Sequence, residues 1–368
     1  MKKRLLCLLA ALLSLLLLFS ACNDNLTATG NPPLSSLAPS SQGQSVSAPA
    51  LPSAESDPSK MDGSSAPSSL FSPSPSPSFS PSPSPTPVPP SPILPTTVWT
   101  PPTAPSFRCT QAFIYDVEEG FFRYICGEER IIYPASTTKL LTILYALTLL
   151  EDMNQKVAPG NELELVGPNS SIAYIKSHHV LTVEQLVEGM LLPSGNDAAY
   201  VLAAAAGRVL DPGAKDGKAA VAAFIAGMNE YGTKTLGLTG SQFINPDGYD
   251  NEDHYSTLED MALVARAAYD CPLIRKYCNM ERDDVVYASG HKMTWKNTNI
   301  NLWEGTRYYS PYVNGLKTGA VNSSYYCLLS SAEINGRAFI FGFFGEPNAD
   351  ARFEDTLVAI NWVRNYVL

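Results

Sequence analysis

The chain has 368 residues, a formal charge of −10, and 45% hydrophobic against 16% charged residues. Its acidic balance, without a basic stripe, argues against a nucleic-acid partner, and its length allows more than one folded unit. The averages conceal three unlike segments: residues 1–22, 23–107 and 108–368.

Lys2, Lys3 and Arg4 precede an apolar run from Leu5 to Phe19, followed by Ser20-Ala21-Cys22. This is the layout of a secretory signal peptide, shorter than the about 20 apolar residues of a membrane span. Small residues directly before a cysteine resemble a bacterial lipobox, which implies a lipid on Cys22; Phe19 stands where such boxes usually carry Leu. An ordinary cleaved signal and an uncleaved anchor are the alternatives. Between Pro32 and Pro105 lie 21 of the 30 prolines, interleaved with serine. Such a composition cannot bury enough apolar surface to offset its ordering entropy. Its Ser-Pro repeats over residues 72–92 predict an extended polyproline II tether, on the order of 65 Å at about 3.1 Å per residue.

Residues 108–368 are long enough for one large domain or two joined subdomains. Cys109, Cys126, Cys271, Cys278 and Cys327 are odd in number and irregularly spaced, unlike a disulfide framework or a zinc site. A Cys109–Cys126 bridge across a hairpin remains open. Gln111–Tyr115 and Gly120–Cys126 alternate like paired strands. Ile131 to Ala135 leads into Ser136, and Lys139–Leu150 reads as a helix apolar on all faces, hence buried. Thr182 to Gln185 predicts a capping box opening a helix through Leu191. Pro193 to Asn196 interrupts it, and helices follow over residues 197–207, 219–231, 257–269 and 272–278. Strands return at residues 312–317, 325–333 and 337–344, before an amphipathic helix over residues 354–368. Strands from both ends around a helical middle predict an α/β (α+β) domain: a central, mostly antiparallel sheet flanked by helices, with an inserted all-helical subdomain.

Three elements carry chemistry. Ser136-Thr137-Thr138-Lys139 puts a hydroxyl and an amine on one helical face, roughly 5–6 Å apart at Cβ. A serine needs such a base to act as a nucleophile. Lys139 would need its pKa drawn from about 10.4 towards 7, which burial and the charge of Lys317 would both favour. Ser194-Gly195-Asn196 follows on a loop between two helices, and Lys317-Thr318-Gly319 comes at the end of a predicted strand.

In this order the three elements resemble the signature of β-lactamases and penicillin-binding proteins. With Leu191 to Ala199, Phe243 to Gly248, His254 to Thr257 and Val313 to Gly319, the chain resembles the low-molecular-weight D-alanyl-D-alanine carboxypeptidases, over about residues 112–332. The resemblance implies a β-lactamase/transpeptidase-like fold and a peptidoglycan stem peptide as substrate. β-Lactams are then covalent inhibitors, and no cofactor or metal is called for. Ser136, Lys139 and Ser194 become catalytic: nucleophile, base and proton relay. Asn196, Lys317, Thr318, Gly319 and Ala320 become substrate-binding, with the N–H groups of Ser136 and Ala320 as oxyanion hole. Lys317 and Thr318 would hold the substrate carboxylate, and Gly319 would leave room for substrate along the strand. Many such enzymes carry a C-terminal β-domain with a membrane-binding helix. This chain ends at Leu368, so the expectation is a monomer anchored to the outer face of the cell membrane through Cys22.

Ala320, Val321, Ser324 and Tyr325 depart from the residues usual after Gly319, which bears on substrate range and rate. A β-lactamase of class A would add a Glu-x-x-x-Asn, which is not visible between Asn196 and Lys317. A non-hydrolytic β-lactam or muropeptide sensor would keep every group named here. The remaining polar residues have structural readings: His254 as a hydrogen-bonding residue, Asn245 and Asp247 as loop stabilisers, His178 and His179 as solvated.

Overall fold

The computed structural model describes residues 103–127, 131–322 and 325–368, all in the second of the two units into which the chain divides, Ser82–Leu368. The signal segment, Cys22, most of the Pro/Ser stretch and Ser324 lie outside the described residues.

The domain opens with a hairpin, β1 (Gln111–Asp116) and β2 (Phe121–Cys126), and Gly120 at φ 73 closes its turn. A 3-10 turn (Ala135–Thr137) runs directly into α1 (Thr138–Leu147). The short strands β3 (Lys156–Val157) and β4 (Leu181–Thr182) lead to α2 (Val183–Leu191), α3 (Asn196–Leu210) and α4 (Gly217–Tyr231). Next come α5 (Leu258–Asp270), α6 (Pro272–Cys278) and a hairpin, β5 (Arg282–Val286) with β6 (Lys292–Lys296). The long strands β7 (Val313–Asn322), β8 (Tyr325–Ile334) and β9 (Arg337–Glu346) and helix α7 (Ala351–Tyr366) follow.

The main sheet runs β2-β1-β9-β8-β7, antiparallel at every pairing, so the two ends of the domain meet where β1 lies against β9. Side chains alternate between faces along a strand. Phe113 and Ile340 enter the core shared with the helices of the insert, whereas Ile114, Phe339 and Phe341 pack against Phe353, Ile360 and Trp362 of α7. Burial on both faces explains the nearly continuous apolar run of β9, an exception to the one-sided alternation common in antiparallel sheets. Helix α1 is buried from Thr138 to Ala146 and packs against α2, α3, α4 and α5, as a helix apolar on all sides must. The capping box at Thr182 and Gln185 forms both of its hydrogen bonds.

Several expectations are corrected. Lys317-Thr318-Gly319 lies in the middle of β7, not at its end, because pairing with β8 continues to Asn322. Helix α7 begins three residues before Glu354, and α1 ends three residues short of Leu150. The packed chain also reaches further back than composition suggests. Phe107 sits edge-on to Tyr124 and Phe343, and the Thr103 carbonyl accepts a 2.7 Å hydrogen bond from Trp362. Cys109 and Cys126 are free thiols. His179 is buried and stacks on His291, with centroids 4.5 Å apart, rather than lying in solvent. The β5–β6 hairpin was not foreseen; its buried Trp295 donates to the Ala173 carbonyl at 3.2 Å. Among the described residues, no helix is long and apolar enough to cross a membrane.

Candidate active site

The 3-10 turn fixes Ser136 at the mouth of α1. Ala135 is held at φ 48, a conformation non-glycine residues rarely take and one that clusters at functional sites. Thr137 closes the turn on the Pro134 carbonyl through both its N–H and its hydroxyl. Thr138 bonds His254 at 2.8 Å, and the other ring nitrogen of His254 accepts from the Ile244 N–H, which makes the histidine a buried brace, as its structural reading implied.

Lys139 is fully buried one helical turn from Ser136. Its Nζ lies 2.9 Å from Ser136 Oγ, 2.8 Å from Asn196 Oδ1 and 2.7 Å from the Asp247 carbonyl. Two of these three neighbours, an amide oxygen and a backbone carbonyl, can only accept. A neutral amine has two N–H donors and one lone pair. With both donors engaged, the lone pair is left facing Ser136 Oγ–H. Burial lowers Lys139 to about 8, against the opposing charges of Asp247 and Asp197. Lys317 is held well below the usual lysine range by burial, first, and by the charges of Lys139 and Arg352, and the repulsion between the two lysines is mutual.

The Asp247 carbonyl reaches Lys139 because its loop is clamped. Asn229 pairs with the Phe243 backbone in both directions, Asn245 Oδ1 accepts from the Gly248 and Tyr249 N–H groups, and Thr142 of α1 donates to the Pro246 carbonyl at 2.7 Å. Asn245 therefore keeps its role as a loop stabiliser, whereas Asp247 touches the reacting lysine, a role sequence reasoning missed. Gly248, at φ 77, lies so near the 3-10 turn that a Cβ there would stand 1.7 Å from the Ala135 oxygen.

The second element is shaped by close packing. A Cβ on Gly195 would lie 2.8 Å from Ala173 Cβ, Asp197 Oδ1 and the Gly189 oxygen alike. Ser194 takes φ 61, and its carbonyl accepts from Ser171 Oγ. Asp197 receives the Ala173 and Ile175 N–H groups, holding the segment that carries Ser170 and Ser171. Asn196 joins the two sides: its Oδ1 faces Lys139 and its Nδ2 donates to Ser170 Oγ at 2.9 Å.

The third element forms the opposite wall. Thr318 Oγ1 is 2.6 Å from Thr298 Oγ1, and the Gly319 carbonyl accepts a 2.8 Å bond from Arg352 of α7. A Cβ at position 319 would meet Cys327 Sγ at 2.4 Å and Ala135 Cβ at 3.1 Å, so packing against the Ser136 turn by itself requires glycine there. Lys317 is almost fully buried and donates to the Thr318 carbonyl at 3.0 Å.

A cleft of about 660 Å³ opens between these walls, lined by Ser136, Ser194, Asn196, Thr318, Gly319 and Ala320 together with Ser170, Tyr249, Thr298 and Arg352. Lys139 and Lys317 lie beneath it. Sequence reasoning brought together all the residues of the three elements but missed Arg352, Ser170 and Thr298. Arg352 had no local signal, because it sits on a helix turn that composition left outside the helix. The Asn245-Pro246-Asp247-Gly248 turn was visible, but nothing in it says that one carbonyl points at a lysine.

Over residues 99–348 the chain matches a protein family described as D-alanyl-D-alanine carboxypeptidase. It is 28% identical over 245 residues to the D-alanyl-D-alanine carboxypeptidase DacF of Bacillus subtilis, covering 66% of this chain and 58% of that protein. It is also 28% identical to the D-alanyl-D-alanine carboxypeptidase of Streptomyces sp. strain K15, covering 73% of this chain and 91% of that one. The crystal structure of the Streptomyces K15 DD-transpeptidase superposes with a TM-score of 0.63 at 28% identity, over 71% of this chain and 98% of that one. The β-lactamase/transpeptidase-like fold is thereby shown.

The close approach of Gly248 to Ala135 yields a test. Gly248→Ala should displace the Ser136 turn and slow acylation of Ser136 by a serine-directed probe at least about a hundredfold, the loss that a 1 Å misplacement can bring. Mass spectrometry of the labelled protein gives the rate. Labelling at the parental rate would mean that this contact does not hold the nucleophile.

Proposed function

The chain belongs to the peptidase S11 family of D-alanyl-D-alanine carboxypeptidases, and from that membership we propose that it removes the terminal D-alanine of peptidoglycan stem pentapeptides through an acyl-enzyme on Ser136. The observation that carries this reading is the set of three hydrogen bonds around Lys139 Nζ, which leaves a neutral amine one direction for its lone pair, towards Ser136.

In this scheme Ser136 Oγ attacks the carbonyl carbon of the penultimate D-alanine as its proton passes to Lys139. The developing oxyanion lies against the backbone N–H groups of Ser136 and Ala320, each donor contributing about 3–4 kcal/mol. The C–N bond breaks as the leaving amine takes a proton from Lys139, relayed by Ser194 on the cleft wall. Free D-alanine departs, and a water attacks the ester on Ser136, its proton passing to Lys139 and from there to the departing Ser136 Oγ, which restores the hydroxyl and the neutral amine. At the far end of the cleft, Thr318 and Arg352 receive the substrate's terminal carboxylate. Lys317, buried beneath, would gain its proton and add positive field when that carboxylate arrives, since a nearby anion favours the charged amine. A carboxylate anchor in the same cleft as the nucleophile selects a chain-terminal residue, which favours carboxypeptidase over endopeptidase action. β-Lactams present a carboxylate and a strained amide in the same relation, so they would acylate Ser136.

Purified protein incubated with diacetyl-Lys-D-Ala-D-Ala should release D-alanine and, separately, form a persistent adduct with fluorescent penicillin. Ser136→Ala should abolish both, and Lys139→Ala should slow acylation by about 10²–10⁴-fold. Since only the neutral amine can take the proton, the acylation rate should rise with pH through about 8 and then level. Rapid penicillin turnover would instead indicate a β-lactamase, and an adduct without D-alanine release a sensor.

The domain order is part of the same reading: signal segment 1–22, a Pro/Ser tether from residue 23, and a catalytic domain to Leu368 whose packed chain begins by Thr103 instead of Arg108, with the enzyme held outside the cell membrane by a lipid on Cys22. A tether of that composition is extended and hydrated, suited to carrying a catalytic domain away from a membrane surface. Globomycin, which blocks lipoprotein signal cleavage, should cause the unprocessed chain to accumulate. Normal processing with release into the medium would contradict the anchor.

A further inference from the structure

Two strands away from the cleft, the same end of the sheet carries a second cluster. Cys109 precedes β1, Glu346 ends β9 and Asp355 lies on α7, one turn beyond Arg352. One ligand atom from each lies within 4.8 Å of the others. Glu346 is fully buried, and neither of its carboxylate oxygens receives a hydrogen bond. Its polar neighbour is the carboxyl of Asp355, and burial pushes both carboxyls up, so the pair needs a proton or a cation between them. Two buried carboxylates side by side are costly, because folding has removed their water, and either a shared proton or a bound cation can offset that cost. Asp355 is held in place: its Oδ2 accepts from the Arg108 N–H at 2.6 Å and more weakly from the Cys109 N–H at 3.4 Å. That leaves its other oxygen for the cluster.

We propose that Cys109, Glu346 and Asp355 bind a borderline-soft divalent cation of the zinc class. One thiolate with two carboxylates suits such an ion better than calcium or magnesium, which take oxygen donors only. Zinc bonds of about 2.0–2.3 Å place neighbouring donors up to about 4 Å apart, so closure needs side-chain movements of under about 1 Å. Cys109 is half-buried, which gives the ion a route in and leaves a fourth position for water. The backbone N–H of Arg108 on Asp355 is the kind of outer contact that orients a ligand. The ion would pin the entry of the chain to β9 and α7, and so brace the helix turn from which Arg352 reaches the Gly319 carbonyl. No sequence spacing could reveal this site, since its residues come from three distant segments.

The test uses cadmium as a zinc analogue on purified, chelator-stripped protein. Cadmium should bind at one equivalent with a thiolate-to-metal charge-transfer band, and zinc should raise the melting temperature, since only the folded state holds the site. Cys109→Ser should remove the band, and Cys126→Ser should keep it. The near-isosteric Glu346→Gln should weaken zinc at least about tenfold, a loss seen even when only a supporting residue is changed. A wild-type protein showing neither band nor melting shift would overturn the proposal, leaving a proton shared between Glu346 and Asp355 as the way the pair is accommodated. A band that survives Cys109→Ser would overturn it as well.

Discussion

Removing Lys139 from water is the constraint on which the rest of the structure depends. An exposed lysine keeps its proton to about pH 10.4 and could not serve as a base near neutrality. Here burial brings it to about 8, and it does so although two buried carboxylates, Asp247 and Asp197, pull the other way. The fold supplies that burial by making α1 a central helix, covered on every side by helices of the insert. Those helices must in turn be held against the sheet, and the sheet is closed by the two ends of the domain. The catalytic amine thus lies at the centre of the whole architecture.

Burial alone would leave the lysine unaligned. Alignment comes from two acceptors on two separate segments, the Asn196 side chain at the head of α3 and the Asp247 carbonyl on the loop after α4. Each segment is fixed by further contacts: Asp197 holds the neighbouring strand of chain, and Asn245 and Thr142 hold the loop. Glycines at 195, 248 and 319 are required where these segments press on each other and on the Ser136 turn. Their shared role is to let three pieces of backbone meet around one hydroxyl. The departures at Ala320 and Val321 fall on the cleft wall. Tyr325 does not line the cleft; its hydroxyl accepts the Tyr133 N–H at 3.2 Å, bracing the segment that leads to Ser136.

Much of this was legible in the chain because the relevant signals are local. The all-apolar stretch after Lys139, the capping box at Thr182 and the alternating strands each declare their element within a few residues. The three motifs declare the residues that meet around the cleft and to which the nucleophile, relay and carboxylate roles are proposed. Long-range geometry was not legible. Pairing with β8 carries β7 on past Gly319, and whether His179 is wet or dry depends on His291 more than a hundred residues away. Arg352 enters the cleft only because α7 packs across the sheet. That glycine at 319 also lets β7 pack against Cys327 and Ala135 could not be read from the sequence.

The central claim is that Lys139, buried and held by two acceptors, is the group that takes the proton of Ser136. It is tested most directly by NMR titration of the protein labelled with [ε-¹³C]lysine, the Lys139 resonance being assigned by its loss in Lys139→Arg. The account predicts a midpoint of about 8 for that resonance. A Lys139 that keeps its proton up to the ordinary lysine range, about 10.4, would contradict it.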